Sequence, residues 1–150
     1  MLFSKKIPEI KENWSVLTSE HNSKQMIIRR NNGISIIAGK GYLNLRSGIS
    51  YKFLIQTDDG IHSNEEDSKI YEIEDKIYEY FDNNKNSVVS LIITTNGFKE
   101  YAIYHNKENN FNEYLNNLRN QFIDYNLTSY TKEDKNWELY TQFVDASNIR

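Results

Sequence analysis

Apolar residues recur along this chain with two different periods, and the switches between them order its elements. WSVLTSE (14–20) and KQMIIRRN (24–31) predict two early strands joined through HNS. NNG at 31–33 signals a turn. The β-branched run ISIIAGKGYLNL that follows predicts extended chain, with Gly39 and Gly41 marking a bulge or bend. SYKFLIQT (50–57) predicts a strand with a strong apolar centre, and DDGIHSNEED a loop. The period then changes. Ile70, Ile73, Ile77, Tyr80 and Phe81 share one face of a helix, and Ser63 with Glu66 matches the Ser-x-x-Glu capping box that opens one.

SVVSLIITTNGFKEYAIYH predicts a hairpin about Asn96-Gly97. A two-residue loop pairs Thr95 with Phe98, Ile93 with Glu100, Leu91 with Ala102 and Val89 with Tyr104. Glu100 then falls on an apolar face, either near the rim of the sheet or in a shifted register. A second helix follows, capped by Asn109 or Asn110 and striped by Phe111, Tyr114, Leu115, Leu118 and Phe122. DYNLTSYTKED predicts the next strand. Trp137, Tyr140 and Val144, with Asp134 as cap, predict a short C-terminal helix that lays an aromatic stripe on the core.

From residue 50 the order is strand, helix, strand, strand, helix, strand. That is the split arrangement of an α+β, ferredoxin-like βαββαβ core (about 50–131), with two helices on one face of an antiparallel sheet. The extra N-terminal β-strands are expected to extend the sheet or cover its other face. The expected organisation is a single α+β domain over 1–150, with 1–12 as a candidate flexible tail.

The composition is that of a globular chain, and the absence of cysteine excludes disulfides, zinc–thiolate sites and a cysteine nucleophile. No apolar run reaches the length of a membrane span, and the apolar part of MLFSKKIPEI is too short for a secretory signal. A cytoplasmic location is therefore expected, with no membrane partner.

The net charge of −3 hides an asymmetry. Residues 1–56 carry nine bases and three acids, whereas 57–82 carry ten acids and two bases. Most acids of the predicted helix lie off its apolar stripe, so the block is expected to be displayed. It is read either as a solvated helix face or as a docking surface for a basic partner. The candidate partner-binding residues are Asp58, Asp59, Glu65, Glu66 and Asp67, with Glu72 and Asp75 behind them.

Little else suggests chemistry. His21 and His105 read as ordinary exposed residues. His62 lies among acids where oxygen ligands could gather, but the Asp-x-Asp-x-Asp-Gly spacing of a calcium loop is absent. Gly39-Lys40-Gly41 lacks the following helix that a phosphate cradle needs, and no serine sits in Gly-x-Ser-x-Gly. The acidic block opposes nucleic-acid binding. No catalytic residue, metal or cofactor is expected.

The order of Asp59-Gly60, Ile73-Glu74-Asp75, FKEYAIYH and Asp134-x-x-Trp137-x-x-Tyr140 resembles a bacterial domain family of unknown function, over roughly residues 13–143. His62 and Lys135 depart from its pattern, which often has proline there. That family is similar to the ribonuclease E inhibitor B fold, a ferredoxin-like protein that acts by binding a nuclease. The resemblance brings no catalytic residues. Together with the acidic block it implies a non-enzymatic protein-binding inhibitor: an immunity protein, of the contact-dependent growth inhibition kind, that neutralises a basic nuclease-type toxin. The alternative is a housekeeping regulatory domain that binds a small molecule or metal ion.

Overall fold

The computed structural model describes residues 6–21, 24–82, 86–107 and 110–146. Six strands form one antiparallel sheet: β1 (Trp14–His21), β2 (Lys24–Asn31), β3 (Leu45–Lys52), β4 (Ser87–Thr95), β5 (Phe98–His105) and β6 (Thr128–Glu133). Their order across the sheet is β1-β2-β4-β5-β3-β6. Among the described residues three helices complete the α+β fold: α1 (Asp67–Phe81), α2 (Phe111–Gln121) and α3 (Glu138–Ala146). The early strands extend the sheet beyond β4. Residues 22–23 of their connection, the proposed Asn109 cap and the Val144 side chain lie outside what is described.

Alternation along the strands sends side chains to two layers. On one face Ile49, Tyr51, Val89, Ile92, Tyr101 and Ile103 meet the stripes of α1 and α2. On the other face Ile28, Val88, Leu91, Ala102 and Tyr104 meet Ile34, Ile37, Leu43, Trp137 and Tyr140. Ile7 and Ile10 pack partly buried against that second layer.

Five local expectations are corrected. The run after Asn31 is not extended. Asn31 accepts from the Gly33 N–H at 3.1 Å and opens a 3-10 turn over Asn32–Ile36, which buries Ile34 and Ile37 at helical rather than strand spacing. Gly39 and Gly41 then take the left-handed backbone, φ 69° and 87°.

The strand expected at 50–57 runs instead from Leu45 to Lys52. It ends because the Phe53 N–H turns to Gly97 O at 2.9 Å and the Leu54 and Ile55 N–H groups turn to Glu66.

The capping box does not form. Ser63 makes no side-chain cap bond, since the Glu66 N–H goes to Ser63 O at 3.1 Å, and the Glu66 carboxylate is taken by the Leu54 and Ile55 N–H groups. Asn110, likewise, makes no side-chain cap to α2.

The hairpin register holds at Thr95, Ile93 and Leu91, but Val89 pairs with Ile103, since a bulge intervenes at Ser90. Ser90 donates its hydroxyl to Ala102 O at 2.8 Å. Glu100 does face Ile93 and is half-buried. Burial pushes its carboxyl up, while Arg46 and a hydrogen bond with Tyr130 pull it back.

Candidate functional site

The acidic segment begins in a loop locked to the hairpin tip. The Asp59 carboxylate accepts from Thr57 Oγ1 at 3.0 Å and from the Ile61 N–H at 2.9 Å, a side-chain-closed turn that holds its carboxyl low. Gly60 follows with φ +83°, and a Cβ there would stand 2.8 Å from Asn96 N. Its carbonyl accepts from the Gly97 N–H at 2.9 Å. Asp59-Gly60 and Asn96-Gly97 therefore interlock as two tight turns. Lys24 reaches across to Asp58 O at 2.5 Å.

Of the seven candidate contact residues, Asp58, Asp59, Glu65, Glu72 and Asp75 are exposed, in the loop and along the outer side of α1. Asp67 is half-buried and pairs with His62 Nε2 at 2.7 Å. Glu66 differs from the rest. It is 5% exposed, and its carboxylate accepts from Leu54 N at 3.0 Å, Ile55 N at 2.7 Å and Tyr125 OH at 2.7 Å. A carboxylate so enclosed orders the loop and presents no charge to a partner. Lys69 and Lys76 each pair with an acid three residues on, Glu72 and Glu79, and so offset part of the outer charge of the helix.

The inner side of α1 carries a buried charge. Glu74 meets Arg29 in an ion pair, Lys99 Nζ at 3.9 Å and Tyr101 OH at 3.5 Å. Burial lowers the Lys99 ammonium to about 8 against the pull of Glu74. The cluster ties α1 to β2 and β5.

His105 is buried, not exposed as expected. Its Nε2 lies 2.7 Å from Ser47 Oγ, which is 2.6 Å from Thr131 Oγ1. Burial lowers its pKa, and the ring stacks on Phe111. His62 is half-buried between Phe53 and Tyr71. The His21 side chain lies outside the described residues. Among the described residues no three His, Asp or Glu side chains gather as a metal would need, and no helix is long and apolar enough to cross a membrane.

At the C-terminus Asp134 is 7% exposed and accepts from Arg46 Nη1 at 2.5 Å, Tyr104 OH at 2.7 Å and the Glu138 N–H at 2.8 Å. Trp137 stacks on Tyr104 at 3.9 Å and donates its indole N–H to Leu43 O at 2.7 Å. Tyr140 donates to Asn31 O at 2.6 Å, under the Arg30 guanidinium. These three residues, each 7% exposed or less, hold α3 to the sheet.

The model of a family of unknown function, DUF695, matches residues 12–144. This chain is a member of DUF695. No curated protein and no solved structure matches it.

In this DUF695 chain one feature of the same loop escaped the sequence reading. Leu54 and Ile55 are 57% and 39% exposed although they directly follow the buried Phe53 in the chain. Beside Leu54 a cleft of about 530 Å³ runs between the end of β3 and the segment 124–128, lined by Lys52, Leu54, Phe98, Asp124, Tyr125 and Asn126 among others. The signal was the unbroken Phe53-Leu54-Ile55 run, which alternation along a half-buried strand does not produce.

Proposed function

We propose that this protein is a non-enzymatic, protein-binding inhibitor, an immunity protein that neutralises a basic, nuclease-type toxin domain through its acidic surface. The observation that carries the reading is the outward display of Asp58, Asp59, Glu65, Glu72 and Asp75 on one loop and one helix. Such a one-signed face accelerates encounter with a basic partner and disfavours wrong ones. Glu66 is left out of the contact set and acts from within.

A ferredoxin-like reading of the core is supported by the order β4-β5-β3-β6, with α1 and α2 sharing one layer. It keeps the resemblance to ribonuclease E inhibitor B in play, an inhibitor that works by occupying its target.

The test is protection. The reading frames beside this gene are searched for a basic toxin domain, and cells expressing such a domain are grown with wild-type protein or with a Glu65→Lys, Glu72→Lys, Asp75→Lys variant whose folding is verified by circular dichroism. Wild type is expected to restore growth and the variant to fail. Undiminished protection by the variant removes the acidic surface from the account. Absence of both protection and complex formation by wild type removes the inhibitor reading.

A further inference from the structure

We infer that His105 is an acid-sensitive latch for the first turn of α2: its neutral ring seats that turn on the sheet, and its protonation lets the turn lift.

The neutral ring is built into its site. Nδ1 lies 3.1 Å from Asn106 O, which can only accept, so Nδ1 carries the hydrogen. Nε2 is then an acceptor and takes the Ser47 hydroxyl at 2.7 Å. Ser47 Oγ in turn accepts from Thr131 Oγ1 at 2.6 Å. The ring stacks on Phe111, the first residue of α2, with centroids 5.0 Å apart and planes 10° from parallel.

An imidazolium would have no counter-charge here. β3 faces the ring with Ser47, β6 with Thr131, α2 with Phe111, and β4 with Ser87, whose hydroxyl goes to Phe81 O at 2.6 Å. The charged groups of the surrounding elements are Glu133, two strands away in the same row, Lys107, two residues on, Glu113 in the first turn of α2, and Asp82 at the end of α1. Glu133, Lys107 and Glu113 are exposed, and among the described residues none of the four pairs with His105. The ring also meets the positive end of a helix whose N-cap, Asn110, gives no side-chain bond.

The hydrogen-bond chain does not itself resist protonation. With Nε2 turned donor, Ser47 donates to Thr131 and the exposed Thr131 to water, so each bond survives with its direction reversed. The charge is what the site cannot hold. β3 and β5 are each paired on both sides, whereas the first turn of α2 is uncapped and seated through the Phe111 ring, so that turn gives way. Phe111 also meets Phe81 at 5.2 Å, and Tyr114 stacks on Tyr80 at 4.7 Å, so the loosening reaches α1. Burial holds the His105 pKa below its ordinary 6.5. Its contribution to the seated turn is therefore complete above 6.5 and is lost as pH falls from there through the lowered folded value.

The test is amide hydrogen exchange by NMR on the full chain, corrected for the intrinsic pH dependence of exchange, alongside the ring ¹⁵N shifts of His105. The Tyr114 amide, bonded to Asn110 O at 3.0 Å, reports the first turn. Between about pH 7 and about pH 5 its protection is expected to fall several-fold in step with protonation of the ring, while amides of β2 and β4 keep theirs. Asp82, raised to about 6, titrates in the same range. In Asp82→Asn the fall is expected to persist. In His105→Gln, which keeps an acceptor for Ser47 and cannot charge, it is expected to vanish.

A fall of equal size in His105→Gln, or none in Asp82→Asn, overturns the latch, as does ring protonation with Tyr114 unmoved. Protection lost evenly over sheet and helices is acid unfolding and overturns it too. Should His105→Gln not fold, the ring and Tyr114 curves in Asp82→Asn decide: matched midpoints support the latch, and separated midpoints overturn it.

Discussion

Asp134 joins three parts of the molecule through one side chain. It accepts the first free N–H groups of α3, neutralises Arg46 on β3 and receives the Tyr104 hydroxyl from β5. Burial opposes its charge, but the hydrogen bonds from Tyr104 and the Glu138 N–H, with the Arg46 charge, outweigh that and hold its carboxyl below the usual range. Asp134→Ala is expected to cost about 3 kcal/mol by denaturant unfolding, since it strands a buried guanidinium and removes a cap. Asp134→Asn, which keeps the cap, is expected to recover part of that loss.

Asp82 has the opposite balance. Burial raises its carboxyl to about 6, against the Val89 N–H at 3.2 Å and with Glu12 adding to the rise. A folded value above the ordinary one favours the protonated fold. Its contribution is complete below the unfolded value near 3.8 and is lost as pH rises through about 6. Asp82→Asn preserves the acceptor without the charge. It is expected to match wild type at pH 4 and to exceed it by about 1 kcal/mol at pH 7.5, after discount for partial exposure. A constant difference across that range would place the effect elsewhere.

Elements differ in how much their own residues determine them. The Asn96-Gly97 turn, the stripe of α1 and the stripe of α2 were legible because each depends on neighbours a few positions away. The start of β3 was not. Arg46 and Gly48 break the apolar alternation of a strand, yet Arg46 is compensated by Asp134, 88 residues further on. Gly48 is required because the Tyr130 ring of β6 lies where a Cβ would be. Long-range compensation of this kind leaves no local periodicity. For the same reason Glu66 read as a cap or a surface acid until Leu54, Ile55 and Tyr125 were seen to converge on it. Of the five exposed acids, Glu72 and Asp75 needed only the helix period to be placed and Asp58, Asp59 and Glu65 only the loop that precedes it, whereas the cleft needed the tertiary fold. Glu66→Gln leaves an amide facing two backbone N–H groups and is expected to cost about 2 kcal/mol by thermal denaturation. Its effect on amide exchange should be concentrated at residues 54–55, with α3 unchanged.

At the scale of the whole molecule, one sheet is the shared wall of two packed layers, and each layer holds one of the two tryptophans. Trp14 packs at the edge of the layer under α1 and α2, meeting Tyr78 edge-on at 6.2 Å. Trp137 lies within the other layer, 0% exposed and stacked on Tyr104. The strands β4 and β5 supply side chains to both layers alternately, so neither core keeps its walls if the other dissolves. Unfolding is therefore expected to be a single cooperative event. The Trp14→Phe and Trp137→Phe proteins each leave one indole as a reporter. In each, the fluorescence transition in urea is expected to coincide in midpoint and slope with the loss of far-ultraviolet dichroism. The Trp137→Phe protein should unfold at lower urea, because phenylalanine neither donates to Leu43 O nor fills the stack on Tyr104. If fluorescence from Trp137 were lost at lower urea than the dichroism, the α3 layer would be a separately melting unit. The Asp134 hub would then secure a cover on the sheet, not close a common core.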